Sequence, residues 1–447
     1  MIKRHDLIKT EVESAENGIA EDSKLYWKED GYLYFGTVKE LYDHVSKDKN
    51  IDVLGLMRIN KNNALKDYTP SFLKMESCIY YGLKDVWRIK INSGRYIDTT
   101  KNFLLLTTRN RSRKDRLYSE PLNNLKEVLT GNLLIQGEKL SVENDFLILI
   151  GLWIADGSWL KSNGYLKGVR IASGNNPEII SFLNTIRDKY SVHSIKRYRI
   201  SEFIKKSPKA DFEEVNNRFG CSHSEYWRIK KKVENNESFR KFTKGATIVD
   251  QNYIFNSTKF ANQLKSFGLK KDWQSHSKRV SPQIFTSSIK NRCSFLKGYF
   301  SGDGSAFFSK DNIIVSATSV NKSLLQDIQA LLSSLGIESS IREAKAKEGD
   351  YRHPNKYYII SIRRRRSVKE FYSKIGFIKK VPECSRDSQV RDTKENNNSY
   401  IFRKVQKIEY AGRKPVYNIV VQATGIFIAN GIFCHGLEEP NIEIEEI

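Results

Sequence analysis

Two short stretches of the sequence place an acidic residue directly after an apolar segment that contains small residues. The first reads LIGLWIADG and ends at Asp156-Gly157, and the second reads LKGYFSGDG and ends at Asp303-Gly304. Two adjacent carboxylates repel each other unless a proton or a cation lies between them, and Mg²⁺ binds few carboxylates together with water and phosphate oxygens. A metal ion held beside a phosphodiester can activate water and neutralise the leaving oxygen. The duplicated acid therefore predicts a hydrolytic site built from two halves.

The elements that must position these acids are two helices whose small residues share one face. Gly151 and Ala155 are four positions apart, and so are Gly298 and Gly302, so each pair lies on one side of its helix. Small residues let two helix backbones approach closely. If the helices pack along these faces, the two acids emerge side by side at one end. The glycine that follows each acid is predicted to supply the positive φ of a helix C-terminal turn.

A succession of helices and strands repeats after each acidic motif. A single motif is typical of a structural helix that ends in a capping turn, but the repeat favours a functional pair. In the first copy we predict a strand over 169–174, a helix over 176–190 and a strand over 193–200. In the second copy we predict strands over 312–319, 338–346 and 356–366, and helices over 322–336 and 367–376. Residues 200–250, dense in Lys, Arg and Asn, are interpreted as an inserted basic subdomain or a long loop.

Segments rich in β pattern lie on both sides of the repeat. Two hairpins are predicted over 24–38 and 86–108, with turns at Asp30-Gly31 and Ser93-Gly94, and a charged linker over 110–125. Further strands are predicted over 400–410 and 415–421, followed by a hairpin over 425–435 with its turn at Asn430-Gly431. The last twelve residues hold five glutamates and no basic residue, which predicts a solvated tail or, as the alternative, an autoinhibitory mimic of DNA.

The charge of the chain is the strongest global signal. There are 75 Lys and Arg against 52 Asp and Glu, a formal net charge of +23, which favours a polyanionic partner. A membrane surface is the alternative, but no apolar run is long enough to span a bilayer. The N-terminal stretch has no apolar core of a signal peptide, and the five scattered cysteines are typical of a reducing compartment. We therefore predict nucleic acid as the partner and an intracellular location (cytoplasm or nucleoid, or the nucleus in a eukaryote), without secretion.

The paired motifs resemble the signature of LAGLIDADG (dodecapeptide, DOD-type) homing endonucleases over about residues 140–385. The resemblance implies two pseudo-symmetric αββαββα halves, with the two signature helices at their interface and two saddle-shaped sheets along the DNA major groove. It implies that Mg²⁺ or Mn²⁺ binds at Asp156 and Asp303, with the neighbouring Ala155 and Gly302. It also implies cleavage of both strands of a long, nearly unique double-stranded site by a monomer, because both halves lie in one chain.

Basic residues are the further candidates that this resemblance implies. The family has basic residues before a proline at the end of each half, where this chain has Lys278 and Lys379. A lysine there can polarise the attacking water or stabilise developing charge, and a solvated surface lysine is the alternative. Strand residues should read bases, while phosphate contacts should supply most of the affinity. The DNA-binding candidates on predicted strands and nearby are Lys196, Arg197, Arg199, Arg363, Arg364, Arg365 and Lys380. A solvated turn is the alternative for the arginine run.

The terminal segments resemble the two halves of a Hint (intein-type) domain, at residues 18–31, 94–107 and 416–436. The positions that carry splicing chemistry in that domain are replaced in this chain. Glycine stands at the nucleophile position, phenylalanine and glycine stand at two histidine positions, and glycine stands at the terminal asparagine, whereas the penultimate histidine is present: these are Gly18, Phe103, Gly425, Gly436 and His435. Glycine has no side-chain nucleophile. We therefore expect a Hint domain that does not splice but holds the endonuclease together or extends its DNA contact.

These observations predict an α+β protein in which a two-repeat αββαββα LAGLIDADG endonuclease is inserted in a mostly-β Hint domain. The predicted parts are the Hint halves 1–138 and 391–436, the endonuclease 139–390 with repeats 139–275 and 276–390, and the acidic tail 437–447. The predicted function is that of a site-specific homing endonuclease that makes double-strand breaks. The alternatives are a catalytically silent DNA-binding protein of the same fold and an intein that retains partial splicing. Retention of both acids favours the enzyme.

Overall fold

The computed structural model describes residues 17–45, 50–60, 65–108, 117–162, 164–174, 176–190, 192–235, 246–249, 252–309, 312–345, 356–382 and 400–436. The predicted tail, 437–447, lies outside these residues. In the described part of the chain no helix is both long and apolar enough to cross a membrane. The cysteines that are described, Cys78, Cys221, Cys293 and Cys434, are all buried.

The described segments form strands and helices in the following order. The strands are β1 Ile19–Ala20, β2 Lys24–Glu29, β3 Tyr32–Thr37, β4 Ile51–Arg58, β5 Tyr68–Ile91, β6 Tyr96–Thr99, β7 Leu104–Thr107, β8 Tyr118–Glu120, β9 Glu127–Gly131, β10 Gly157–Ser162, β11 Tyr165–Ala172, β12 Ala246–Val249, β13 Asn252–Phe255, β14 Gly304–Ser309, β15 Asn312–Ser319, β16 Ser340–Ala344, β17 Tyr357–Ile362, β18 Tyr400–Val421, β19 Ile426–Ala429 and β20 Ile432–His435. The helices are α1 Val38–Val45, α2 Asn144–Asp156, α3 Pro177–Tyr190, α4 Val192–Lys206, α5 Phe212–Phe219, α6 His223–Glu234, α7 Thr258–Ser266, α8 Pro282–Thr286, α9 Ile289–Gly302, α10 Lys322–Ser333 and α11 Arg365–Lys374.

The two ends of the chain build one β unit. The long strand β18 pairs with β1, β5 and β9, and β20 pairs with β7 and β9, so N-terminal and C-terminal strands alternate in the same sheet. All three predicted hairpins are confirmed. In the first and third, both turn residues have the positive φ of a tight hairpin: 49° and 87° at Asp30 and Gly31, and 52° and 72° at Asn430 and Gly431. Along the sequence, the middle of the chain lies between the N-terminal and C-terminal parts of this mostly-β unit.

The predicted linker over 110–125 is wrong where the structure describes it. Residues 117–125 are described, and 110–116 lie outside the described residues. Strand β8 pairs with β7, and Leu122 and Leu125 are buried in the core of the β unit. Because the leucines of this segment fill the core, its hydrophobic burial outweighs the charged and turn-forming residues that suggested a linker.

The middle of the chain is a repeat of two αββαββα halves, as predicted. The first half runs from α2 to α7 and the second from α9 to α11. Each half has a four-stranded antiparallel sheet with the same topology, in the orders β10-β11-β13-β12 and β14-β15-β17-β16. In β11 the buried residues Val169 and Ile171 alternate with exposed ones, which places one face of the first sheet against the helices. In the equivalent strand β15 all five residues from Ile313 to Ala317 are buried.

Helices α2 and α9, hereafter the signature helices, pack backbone against backbone. A Cβ at Gly151 would lie 2.7 Å from the amide N of Tyr299, and a Cβ at Gly298 would lie 2.7 Å from the carbonyl carbon of Ile148 and collide with its oxygen. Only glycine permits this approach, so the predicted close packing is confirmed. Around the seam, Leu149, Leu152, Phe295 and other apolar residues are buried in the main core.

The glycine after each acid is needed for space and not for a positive φ, so that prediction is wrong. Gly157 has an extended backbone with φ −90° and ψ 158°. A Cβ at Gly157 would collide with the ring of Trp153 and would lie 2.5 Å from its carbonyl oxygen. A Cβ at Gly304 would lie 2.8 Å from the Cα of Phe300. In both halves the chain passes directly from the helix end into the first strand of the sheet, which leaves no room for a side chain.

The predicted strand over 193–200 is a helix. Helix α4 begins a three-helix insert, α4 to α6, between α3 and β12 of the first half. Ile200 and Ile204 are buried four positions apart in a small separate core, with Phe203 packed against it. This spacing is typical of a helix. The alternation of polar and apolar residues over 193–200 was too short to decide between strand and helix.

A buried carboxylate joins the β unit to the second half. Asp327 of α10 accepts two hydrogen bonds from Arg279, with Nε–Oδ2 at 2.6 Å, and forms an ion pair with Lys24 of β2 at 2.9 Å. Nearby, Gln329 donates to the carbonyl oxygen of Ser93 in the β5–β6 turn at 3.0 Å. Because Asp327, Gln329 and Ser93 are buried polar residues, they would lack hydrogen-bond partners if the two units were arranged differently.

Candidate active site

The two acids of the duplicated motif lie at the ends of the signature helices. Asp156 is the last residue of α2, and Asp303 follows the last residue of α9. A Cβ at Gly302 would lie 2.6 Å from the Cβ of Ala155 and 2.9 Å from Oδ2 of Asp156. The helices are therefore in tight contact at the acids, which we call the signature acids.

The signature acids hold protons more tightly than ordinary carboxylates. Burial, followed by the negative charge of Asp156, raises the pKa of Asp303 to about 8. Burial also raises the pKa of Asp156, against the opposing effect of Lys278 and Lys379. A close pair of buried carboxylates favours one proton or one cation between them. This is the electrostatic behaviour expected of a site that binds a divalent cation.

Lys278 binds the carbonyl groups at the end of α2, next to Asp156, and caps the helix. Its ammonium group is buried and donates to the carbonyl oxygens of Trp153 at 2.9 Å, Ile154 at 3.0 Å and Gly157 at 2.7 Å, with Ala155 at 3.5 Å. Burial lowers the pKa of Lys278 to about 8, although the two acids oppose this shift. A cation is favourable at a helix C-terminus, where unpaired carbonyl groups carry partial negative charge.

Lys379 occupies the equivalent place in the second half. Its ammonium group donates to the carbonyl oxygen of Gly302 at 3.2 Å, and burial lowers its pKa while both acids raise it. Each signature helix therefore ends in one carboxylate and is capped by one lysine. No local sequence pattern indicates that these lysines bind backbone carbonyl groups, because each contact joins residues more than 70 positions apart.

Two carboxylates are the donors that this site offers to a metal ion. In the described part of the chain no group of three or more His, Cys, Asp and Glu side chains could hold a metal ion. The carbonyl oxygens of Ala155 and Gly302, the other two predicted metal positions, accept from Lys278 and Lys379. Hard oxygen donors with room for water and phosphate oxygens fit Mg²⁺ or Mn²⁺.

A pH-dependent loss of stability is expected from this pair in the absence of metal. The folded protein binds a proton at Asp303 more tightly than the unfolded chain does, so the stability gained below the usual carboxylate pKa is lost as the pH rises through about 8. For one proton, the free energy of unfolding is expected to fall by up to about 1.4 kcal/mol per pH unit. Thermal unfolding between pH 5.5 and 8.5 in chelator should show this decline, and Asp303→Asn should flatten it. Equal slopes in both proteins would contradict the prediction.

The predicted DNA-binding residues do not lie on the two sheets. Lys196, Arg197 and Arg199 belong to helix α4 of the insert, and Arg199 is exposed. Strand β17 ends at Ile362, so Arg363 follows it, Arg364 pairs with Glu338 at 2.7 Å, and Arg365 begins α11. Lys380 is exposed, with Glu178 3.9 Å away. The strand assignment of the arginine run was wrong because it follows the end of β17 and begins α11, and that of Lys196, Arg197 and Arg199 was wrong because their segment is the helix α4.

Other side chains occupy the exposed faces of the sheets. Arg170 lies exposed on β11 between the buried residues Val169 and Ile171, and Arg342 lies exposed on β16 next to the buried Ile341. In β11 the sequence pattern indicates this exposure, since Arg170 alternates with the aliphatic residues Val169 and Ile171.

The five positions predicted to have lost splicing chemistry lie in the β unit. A Cβ at Gly18 would lie 2.6 Å from Cγ1 of Val416 and collide with the carbonyl oxygen of Tyr417. A Cβ at Gly436 would collide with the carbonyl oxygen of Ile419. Both positions therefore lie against β18 without space for a side chain. The other three are Phe103, which is buried, Gly425, which has φ 62°, and His435, whose Nδ1 lies 2.7 Å from the hydroxyl of Ser119.

The second half also matches a known protein family. Residues 290–376, from α9 through α11, match the family model described as "LAGLIDADG-like domain". Residues 290–376 form a LAGLIDADG-like domain. The first half repeats the same succession of elements with an acid at the same place. The LAGLIDADG-like fold predicted from the sequence is confirmed for residues 290–376, and the predicted arrangement of two αββαββα halves between the two parts of a mostly-β unit is confirmed by the structure.

More distant similarities extend beyond this domain. The chain is 29% identical over 179 residues to a DNA polymerase of Thermococcus hydrothermalis, a match that covers 37% of this chain and about a tenth (10%) of that relative. Mesophilic variants of the homing endonuclease I-DmoI align with 52% of this chain and 97% of theirs, at 16% identity and a TM-score of 0.29. An intein from a hyperthermophile aligns with 26% of this chain and 71% of its own, at 14% identity and a TM-score of 0.22. The LAGLIDADG-like assignment covers residues 290–376 and rests on the family-model match.

Proposed function

We propose that this protein is a site-specific endonuclease that makes double-strand breaks in DNA by divalent-metal-dependent hydrolysis of phosphodiester bonds. The observation that carries the proposal is the pair of signature acids, held together where two glycine-lined helices meet. The helices bring together two sheets of the same topology, one from each half. One carboxylate from each half suits a reaction performed on both strands of a duplex.

The acids and the lysines of the site have different proposed roles: the acids bind the metal ion, and the lysines supply positive charge. Asp156 and Asp303 would hold Mg²⁺ or Mn²⁺, which supplies an activated water and neutralises charge on the phosphate. Lys278 and Lys379 hold the helix ends in place through their carbonyl bonds and keep positive charge beside the acids. That charge favours the approach of a phosphate group. The lysines thereby affect both the position of the helix ends and the electrostatic potential at the acids.

The two sheets and the net charge support double-stranded DNA as the substrate. Each sheet has a face turned away from its helices, with exposed side chains such as Arg170 and Arg342. A two-part surface of this kind suits a long site that is nearly unique in a genome, read by a monomer. With a net charge of +23, phosphate contacts would supply much of the affinity, and binding should weaken steeply with salt.

The Hint-type unit is proposed to have lost protein splicing. An intact mass measured on the purified protein should show one uncleaved chain. Gly18→Cys should not restore an acyl shift, because a Cβ at this position collides with the backbone of β18 and Phe103 stands in a histidine position. Incubation with dithiothreitol or hydroxylamine should therefore release no fragment from either protein. A fragment of the mass expected for scission at residue 18 would contradict the proposal.

Sequencing of DNA ends tests the proposed function directly. The purified protein is incubated with a genomic or randomised DNA library and Mg²⁺, and the DNA ends are sequenced. One control replaces Mg²⁺ with the chelator EDTA, and the other uses the variants Asp156→Asn and Asp303→Asn. Recurrent paired breaks that require metal and both acids would support the endonuclease and deliver its site. Specific binding without breaks would favour the second candidate, a DNA-binding protein of the same fold without cleavage.

A further inference from the structure

The insert in the first half has the form of a small helix–turn–helix unit. Helix α5 ends at Phe219, three residues form the turn, and α6 begins at His223. Gly220 has left-handed backbone angles of φ 58° and ψ 43°, as a tight helix end requires. The Ser222 side chain then accepts from the amide N of Glu225 and caps α6. The turn is thus specified by its own residues.

This insert has a hydrophobic core of its own, which fixes the orientation of α6. Tyr226 and Ile229 of α6 are buried, 1% exposed each, and pack with Val215 of α5 and Ile200 of α4. The hydroxyl of Tyr226 donates to the carbonyl oxygen of Ala210 at 2.8 Å. Because these residues define the inward side of α6, the opposite side of the helix is turned to solvent.

The solvent side of α6 carries a stripe of four residues suited to nucleic acid. Ser224, Trp227, Arg228 and Lys231 are exposed and follow the spacing i, i+3, i+4 and i+7, so they lie on one face of the helix. Trp227 is 51% exposed, although a tryptophan is normally largely buried. An exposed aromatic ring on the same helix face as two cations matches the major groove of DNA, which offers thymine methyl groups for apolar contact and is bordered by anionic phosphates.

We propose that α6 is a recognition helix that enters the major groove of DNA beside the segment covered by the two sheets. The inference rests on the proposed function, because it assigns a further contact to the same substrate. A helix–turn–helix unit presents its second helix to the major groove, while preceding helices brace it against the backbone. In this insert α6 is that second helix, and Arg228 and Lys231 provide the charge complementary to DNA.

The position of the insert makes the proposed contact one-sided. The insert lies between α3 and β12, and β12 is the outermost strand of the first sheet. In the second half, α10 and β16 are joined by residues 334–339 alone. The protein should therefore protect more DNA on the side of the first half, by about half a helical turn or more.

The test compares footprints and salt dependence on a site that the wild-type protein selects from the DNA library by binding, without added metal. The full-length Arg228→Ala/Lys231→Ala variant is compared with Lys205→Ala/Lys206→Ala, which removes the same charge from the exposed end of α4. The α6 variant should lose protection on one flank only and bind about tenfold to a hundredfold more weakly, with the slope of log affinity against log salt smaller by about 2. The α4 control should keep the full footprint.

Fluorescence supplies a second measurement that does not depend on affinity. Trp227 should be quenched when DNA carrying the flank binds, and Trp227→Phe should lose that part of the change. Circular dichroism confirms that each variant is folded. The inference is overturned if the wild-type footprint is symmetric, or if the α6 variant protects the flanking DNA as well as the wild type does. Cleavage at the central site would in that case still support the proposed function. If the wild type binds but never cleaves, the proposed function fails and the one-sided footprint still decides the role of α6.

Discussion

Asp156→Asn and Asp303→Asn will each lower the rate of DNA cleavage by at least about 10³-fold. Asparagine preserves the size of the side chain but removes the negative charge that holds a divalent cation. The remaining acid cannot compensate, since the site offers one carboxylate from each half. Single-turnover cleavage of the library-derived site, with protein in excess over DNA, measures this loss directly. Binding without added metal should remain within about threefold of wild type, because phosphate and base contacts elsewhere supply the affinity.

A carboxylate at the other end of the same helix provides the matched control. Asp145 lies in the first turn of α2, so Asp145→Asn changes the same atoms in the same element away from the site. Its cleavage rate should stay close to that of the wild type. If either signature-acid variant keeps more than a tenth of the wild-type rate, hydrolysis does not depend on this pair, and the proposed mechanism is wrong.

The fold and the acids could be predicted because both depend on local and repeated patterns. Small residues four apart in two apolar segments indicated close helix packing, and the structure places Gly151 and Gly298 at that contact. The hairpin turns were likewise encoded by adjacent residues such as Asn430 and Gly431. Each of these features needs only a few neighbouring residues, and the repeat supplied a second, independent copy of the main one.

The parts that were missed depend on contacts between distant residues. The role of Lys278 comes from the end of α2, more than 120 positions earlier in the chain, and no local pattern records that contact. The strand predicted over 193–200 became α4 because its apolar residues fill a core shared with α5 and α6. The glycines after the acids were correctly marked as special but for the wrong reason, since a neighbouring ring and backbone exclude a side chain at Gly157. Sequence patterns indicated these positions without indicating what surrounds them.

Gly298→Ala will lower the free energy of unfolding by about 3 kcal/mol, the upper part of the range for overpacked sites. The added methyl group would meet backbone atoms of α2, including the amide N of Leu152 at 3.0 Å. Backbone cannot rotate away as a side chain can, so the signature helices must separate. Alanine is the better helix former by about 1 kcal/mol, and the variant would therefore be more stable if the seam had room. The sign of the change in unfolding free energy therefore shows whether the contact between the helices has room for a methyl group.

Urea unfolding of Gly298→Ala and of Ser294→Ala, one turn earlier in α9, measures the effect against a control. Ser294 is partly exposed, and its replacement should change stability by less than about 0.5 kcal/mol. Because Gly302 and the signature acids lie one turn beyond Gly298, separation of the helices should also move the two carboxylates apart. Gly298→Ala should then lose cleavage even under conditions where it remains folded, as judged by circular dichroism. A folded Gly298→Ala protein that cleaves at the wild-type rate would show that the acids do not depend on the contact between the two helix backbones.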